Sequence, residues 1–280
     1  MIVTGNALLA GVMGWPISHS RSPRLHGHWL ERYGVDGAYL PLAVHPDDLA
    51  DALRALPLLG FRGVNLTVPH KERALALCDE AGDEAARIGA VNTIVVGEDG
   101  RLAGSNTDGF GFLENLSRNS AWRASNGPAV LLGAGGAARA IAVALLDAGV
   151  SELRLVNRTA ARAEGLALAL GNGAEPWPWE AREVALDGCA LLVNTTTLGM
   201  EGQPPLDLDL AQLPAEAVVN DIVYTPLETP LLREAARRGN PTVDGLGMLL
   251  HQARPGFESW FGVHPEVDET LRRFVLEDLD

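Results

Sequence analysis

At about 150 residues per domain, a chain of 280 residues has room for roughly two domains and a sizeable core. Apolar residues make up 47% and charged residues 21%, and the 31 glycines and 17 prolines form no repeat, which excludes disorder, collagen and coiled coil. The 22 basic residues against 36 acidic ones leave a net charge of −14, so the chain as a whole has no electrostatic attraction for nucleic acid.

Cys78 and Cys189 are too few for a disulfide framework and fit no zinc spacing, so both are expected to be buried thiols of a reducing cytoplasm. The N-terminus lacks a basic segment, and no stretch approaches the roughly 18 apolar residues of a membrane span. A protein that is neither exported nor membrane-bound is expected.

Short apolar runs alternate with helical patterns, the mark of βαβ units and a mainly parallel sheet. Leu8 to Met13 reads as a strand, and Ser22-Pro23 opens a helix to about Tyr33, with Ser22 as its cap. Asp47 or Asp48 is expected to cap a helix to Leu56. Val64 to Val68 reads as a strand, and Pro69 as the start of a helix to about Cys78. Val91 to Val96 and Arg101 to Ser105, joined by Gly97-Glu98-Asp99-Gly100, read as a hairpin.

Ser117 to Gly127 is polar and irregular and looks like a boundary, after which the alternation resumes. Strands are expected at 128–132, 153–156, 190–193 and 218–223, and helices at 136–147 and 160–170. The chain turns helical after Val243, and these last helices are expected to pack back on the first domain. Pro176-Trp177-Pro178-Trp179 reads as a loop with surface aromatic anchoring.

The strongest local signal is Gly133-Ala134-Gly135-Gly136-Ala137-Ala138, directly after an apolar strand and opening an Ala-rich helix. This GxGxxA lies where a dinucleotide pyrophosphate meets a helix N-terminus. The next strand ends in Asn157-Arg158-Thr159, with no carboxylate to take a ribose 2′-hydroxyl. Arg158 and Arg162 offer the charge that suits a 2′-phosphate, and the cofactor reads as NADP.

A second group of polar residues falls at strand ends and helix starts in the first half: Ser18 to Ser22, Asn65, Thr67, His70-Lys71, Asn92-Thr93 and Asn106-Thr107-Asp108. Each alone has an ordinary alternative as a cap or a strand-end partner. Together they suit a small polyhydroxylated substrate, and Lys71 stands out because the first turn of a helix favours anions. His19 and His26 read as structural or peripheral.

The order of these motifs resembles the shikimate dehydrogenase family. The marks are Gly14 to Pro23, Asn65 to Glu72, Gly89 to Thr93, Asn106 to Gly109, Gly133 to Ala138, Asn157-Arg158-Thr159, Asn194-Thr195-Thr196, Asp221 to Pro226 and Gly245 to Ala253. The resemblance implies an α/β protein of two domains, residues 1–108 with the helices of 247–280 as substrate domain and 109–246 as a Rossmann-type doubly wound NADP domain, with the active site in the interdomain cleft. It implies reversible NADPH-dependent reduction of 3-dehydroshikimate to shikimate, without a metal, by a monomer or homodimer.

By the same resemblance, Ser20, Ser22 and Tyr224 hold the substrate carboxylate, and Thr67, Lys71, Asn92, Asp108 and Gln252 hold its ring oxygens, with Lys71 and Asp108 as the catalytic pair. Asn65 joins the substrate residues. Gly133, Ala134, Gly135, Gly136, Ala137, Asn157, Arg158, Thr159, Arg162, Asn194, Thr195, Thr196, Gly245 and Met248 would contact NADP. His70 stands where many members carry Phe, and Ser22 where quinate-oxidising relatives often carry Thr, which favours shikimate. The rival readings are relaxed quinate use and a silent NADPH sensor.

Overall fold

Aliphatic runs separated by amphipathic segments build two six-stranded sheets, one in each of two units. The computed structural model describes residues 3–277. One unit runs to Thr107 and resumes at Leu250; the other is Asp108–Leu249. The polar stretch 117–127 is therefore a connection within the second unit rather than a boundary.

The first unit contains β1 (Leu8–Gly14), α1 (Ser22–Arg32), β2 (Gly37–Ala43), α2 (Leu49–Leu58), β3 (Phe61–Leu66), α3 (Lys71–Leu75), β4 (Glu80–Ala81), α4 (Asp83–Ile88), β5 (Thr93–Val96) and β6 (Leu102–Ser105). Its sheet has the order β2-β1-β3-β5-β6-β4. The first three strands are parallel, while β5 and β6 form the expected antiparallel hairpin. Leu49, Leu53 and Leu56, one stripe of α2, pack with Val64, Leu66 and Ile94 of the sheet.

Two local expectations are corrected, and a third is refined. Arg21 is already helical in backbone (φ −88°, ψ −5°), so it takes the cap position and Ser22 is the first residue of α1. The oxygen that meets this turn is Ser20 Oγ, which accepts from the Ser22 amide at 3.3 Å. Before α2, Asp48 takes the cap position as expected, though without a side-chain cap bond, and His45 Nδ1 accepts from the Asp47 amide at 3.3 Å to cap the short 3-10 turn Pro46–Asp48. Finally, α3 is only five residues long and starts at Lys71. β2 escapes the sequence pattern because Pro41 interrupts it. An edge strand tolerates the missing N–H.

The second unit contains α5 (Asp108–Asn119), β7 (Ala129–Leu132), α6 (Gly136–Asp147), β8 (Leu153–Asn157), α7 (Ala160–Leu170), β9 (Ala174–Pro178), β10 (Leu191–Asn194), β11 (Val218–Asp221), α8 (Pro230–Arg238) and β12 (Thr242–Val243). All six strands are parallel in the order β12-β11-β10-β7-β8-β9. Counted within the unit this is the Rossmann doubly wound order, whose direction reverses between β7 and β10.

Both faces are covered: Leu131, Leu155 and Val193 pack with Ile141 of α6 and Leu166 of α7, while Leu132, Val156 and Leu192 pack with Leu231 and Leu232 of α8. Burial on both faces is why these strands read as unbroken aliphatic runs. Pro176 to Pro178 is corrected from loop to strand, with Trp179 opening a 3-10 turn: β9 is an edge, and its prolines sit where a donor is dispensable. Trp177 and Trp179 lie against the core with Arg154 and Arg182 over their rings, 5.5 and 5.2 Å from the centroids.

α9 (Leu246–Phe261) starts in the second unit and ends in the first, and α10 (Glu269–Leu276) follows. Phe257 and Trp260 of α9 join Trp29 and His26 of α1 in an aromatic cluster. Arg24 ties α1 to α10 through the Phe274 carbonyl at 2.6 Å.

Candidate active site

In the first unit the parallel strands β1 and β3 end at Gly14 and Leu66, and Asn65, Thr67 and Asn92 lie at these ends, the Asn92 carbonyl accepting from the Leu66 amide at 2.8 Å. Thr67, half-buried, donates its amide to Met13 O at 2.9 Å and so ties the two ends together. Gly14 is required here because a Cβ would run into the Thr67 methyl.

A directional chain of hydrogen bonds runs through the site. The Ser22 hydroxyl bonds to Tyr39. Tyr39 OH donates to Asn65 Oδ1 at 2.6 Å, Asn65 Nδ2 to Thr93 Oγ1 at 3.0 Å, and Thr93 Oγ1 to Asn92 Oδ1 at 2.9 Å. Asn92 Nδ2 donates to Thr107 Oγ1 at 3.0 Å, and Thr107 Oγ1 to the Gln252 carbonyl at 2.8 Å. Asn92 Nδ2 also reaches Gln252 Oε1 at 3.4 Å, and its Oδ1 accepts from the Thr107 amide at 2.9 Å.

Each hydroxyl here has one proton and gives it forward, so the amides cannot flip without breaking the chain. The structure thus brings Ser22, Asn65, Asn92 and Gln252 together. Asn65 also donates to Asn92 O at 3.2 Å, so both its N–H protons are engaged, and toward a ligand it can only accept.

Lys71, half-buried, opens α3, and its carbonyl accepts from the Val91 amide at 2.9 Å, which places it beside Asn92 along the chain. His70 is buried, with Nε2 at 2.9 Å from Val44 O and no partner on Nδ1. Burial first, then the nearby Arg73, lowers its pKa against the carbonyl's pull, so it is a neutral ring donating to Val44. His26 is wholly buried and stacked on Tyr39 with centroids 3.8 Å apart, and burial pushes its pKa down to about 3. It is a core residue, as read; His19 is exposed.

Tyr39 was not legible as a site residue. Its only sequence trace is an aromatic in a strand interrupted by proline.

In the second unit the turn after β7 and the turn after β10 flank the point where strand order reverses. Gly133 has φ +116°, and a Cβ there would strike Thr195 Oγ1, which donates to Leu132 O at 2.7 Å. Gly135 caps α6 in extended backbone with no side-chain cap bond, and a Cβ on it would project into open space. The start of α6 thus carries no side chain at its cap and has open space beside it, which fits a pyrophosphate.

At the end of β8, Asn157 Nδ2 bonds to Thr159 O at 2.9 Å, and Arg158 and Arg162 are exposed on the α7 start, which fits a phosphate on the ribose. After β10, Thr196 Oγ1 donates to Asn194 Oδ1 at 2.7 Å, holding the turn. Gly245 packs against the Ile222 and Val223 carbonyls, whereas Met248 lies inside the apolar core. Asp108, buried at the first turn of α5, and Tyr224, half-buried after β11, belong to this second unit.

Cys189 is buried as expected, whereas Cys78 is only half-buried; burial raises their pKa values to about 12 and about 11. Among the described residues, no His, Cys, Asp and Glu group could hold a metal, and no helix is long and apolar enough to cross a membrane.

Comparison with known proteins gives the family. Residues 12–94 match the shikimate dehydrogenase substrate binding domain and residues 245–273 the shikimate 5'-dehydrogenase C-terminal domain. The chain is 62% identical over 275 residues to shikimate dehydrogenase (NADP(+)) of Paramagnetospirillum magneticum, covering 98% of this chain and 100% of that one. It is 63% identical over 281 residues to the protein of the same name from Rhodospirillum rubrum, covering 98% and 99%. A Thermus thermophilus shikimate 5-dehydrogenase, solved in complex with NADP(H) and shikimate, superposes with a TM-score of 0.85 at 41% identity over 95% of this chain and 99% of that one.

Proposed function

Because the chain belongs to the shikimate dehydrogenase family, we propose that it catalyses the reversible NADPH-dependent reduction of 3-dehydroshikimate to shikimate. One observation carries the reading: each unit presents the right chemistry at the carboxyl ends of parallel strands, chained hydroxyls and amides in one and an uncapped glycine turn at a Rossmann switch point in the other.

Gly133 to Ala137, with Asn194 to Thr196 and Gly245, form the dinucleotide turns, and Arg158 and Arg162 take the 2′-phosphate. Met248 supports this site from the core. When bound, NADPH supplies hydride to the ketone carbon. Ser20 and Ser22, with Tyr224, hold the substrate carboxylate, while Thr67, Asn65, Asn92 and Gln252 orient the ring hydroxyls.

Lys71 Nζ gives its proton to the carbonyl oxygen during reduction and takes it back in the reverse direction. Asp108 follows Thr107, itself fixed to Asn92 and Gln252, and its carboxylate orients the lysine. A site rich in such donors discriminates by hydroxyl pattern, because a substrate lacking one leaves a buried group unpaired.

The test is NADP reduction by purified protein, followed by the absorbance of reduced nicotinamide, with shikimate and quinate each offered with NADP and NAD. Highest kcat/KM for shikimate with NADP is expected. NADPH binding without turnover of either acid would overturn the reading.

A further inference from the structure

The second unit holds a buried carboxylate for which the chemistry above has no use. Asp221 ends β11, fully shielded from solvent, and three separate segments bond to it. Asn194 Nδ2 donates to its Oδ1 at 3.0 Å from the end of β10, and the Val223 amide donates to the same oxygen at 3.0 Å from the loop leading to Tyr224. Thr229 Oγ1 donates to Oδ2 at 2.7 Å while accepting the Leu232 amide at 3.3 Å as the cap of α8. Asn194 in turn holds Thr196 and the Leu198 carbonyl, at 2.7 and 3.1 Å. The carboxylate is the joint between the 194–198 turn and the 222–229 loop.

We propose that Asp221 is a positioning residue that locks these two segments together, so that the threonine turn beside Gly133 and the Tyr224 loop are presented in one fixed arrangement to cofactor and substrate. This rests on the assignment of those segments under Proposed function.

Ionised, the carboxylate accepts all three donors. Protonated, its own O–H must point at Thr229 Oγ1, which then has to turn its proton away from Asp221 while still capping α8. The joint therefore works in the charged form, although burial outweighs the three hydrogen bonds and raises the pKa from 3.8 to about 6.

The neighbouring elements bring only neutral groups to it. β10 presents Asn194, β12 (Thr242–Val243) carries nothing titratable, and the loop presents the Val223 amide, with Tyr224 next to it. On the loop and α8, Glu228 pairs with Arg233 at 3.1 Å and Glu234 with Arg237 at 2.6 Å, while Arg238, exposed at the end of α8, donates to the Leu213 carbonyl at 3.0 Å.

The experiment measures NADPH affinity, KM for NADP and shikimate, and melting temperature against pH in wild type, Asp221→Asn, Thr229→Val and Thr229→Ser. The isosteric Asp221→Asn presents N–H to Thr229 and strands that hydroxyl's proton. It should raise KM for NADP about tenfold near neutral pH. Its melting temperature should be no lower, since a buried charge is gone, and a merely structural role would lower it instead.

Wild type should converge on the variant as pH falls through about 6. A phosphate monoester titrates in the same range, so the profile is read as wild type minus Asp221→Asn, which share the cofactor. Thr229→Val, which removes one donor from the carboxylate, should move that limb to higher pH, and Thr229→Ser should restore it. Unchanged KM and an identical pH profile in Asp221→Asn would overturn the proposal. Failure of wild type itself to bind NADPH or turn over shikimate would overturn instead the reading on which it rests.

Discussion

Replacing Tyr39 with Phe removes one atom from the middle of the hydrogen-bond chain and leaves the packing of the ring intact. The hydroxyl is the donor to Asn65 Oδ1 at 2.6 Å and the partner of Ser22, and the residue is only 6% exposed, so water has no ready access. Removing the donor strands a buried amide oxygen, at a cost of about 1–3 kcal/mol. Because Asn65 Nδ2 continues the chain through Thr93 to Asn92, the loosened amide also frees the groups that meet the substrate.

Thermal unfolding and steady-state kinetics of Tyr39→Phe read both consequences. The melting temperature should fall by a few degrees, since about 1 kcal/mol corresponds to roughly 2–4 °C in a chain of this size. KM for shikimate should rise roughly tenfold while KM for NADP stays within about twofold, because the dinucleotide turns lie in the other unit. A variant with normal KM for shikimate and a lowered melting temperature would show that the chain supports the fold alone, and the orientation argument would be wrong.

Lys71→Ala should lose about 10²- to 10⁴-fold in kcat while still binding NADPH, and adding Asp108→Ala should cost little more; multiplicative losses would show that the two do not act together. Arg158→Ala should raise KM for NADP by the equivalent of about 1.5–3 kcal/mol and leave KM for NAD nearly unchanged, so equal losses for both would refute the phosphate assignment. Ser22→Ala should weaken shikimate binding without the loss expected of a helix cap, because Arg21 holds that position; a fall in stability with normal KM would contradict this.

The pH prediction concerns His26, whose pKa is depressed from 6.5 to about 3 by burial. A depressed group contributes stability above pH 6.5 that is lost as pH falls toward 3, at up to about 1.4 kcal/mol per pH unit. His26→Phe should therefore shift acid unfolding to lower pH, and an unchanged midpoint would show that other groups set it.

Legibility in the sequence followed local physics. Ala129 to Leu132 and the glycines after it were plain because a strand buried on both faces is continuously aliphatic and a helix that receives a phosphate needs residues without side chains at its start. β2 and β9 were hidden because Pro41, Pro176 and Pro178 contradict the strand pattern that only a central position would forbid. The role of Ser22 as cap was misread because Ser-Pro is a cap signal in isolation, while the backbone of Arg21 decides the point.

Tyr39 and Asp221 were illegible in another way. Their significance lies in partners 26 residues away in one case and 27 and 8 in the other, and no local window contains the pairing.

The four strands that end the two sheets have a consequence for how copies of this chain meet. β4 and β12 are two residues long, and β2 and β9 carry proline. A continuous row of amides long enough to recruit a neighbouring strand is missing from all four borders of the described residues. Growth by adding strand to strand, the route to domain exchange and fibrils, is thus disfavoured at every one of these margins.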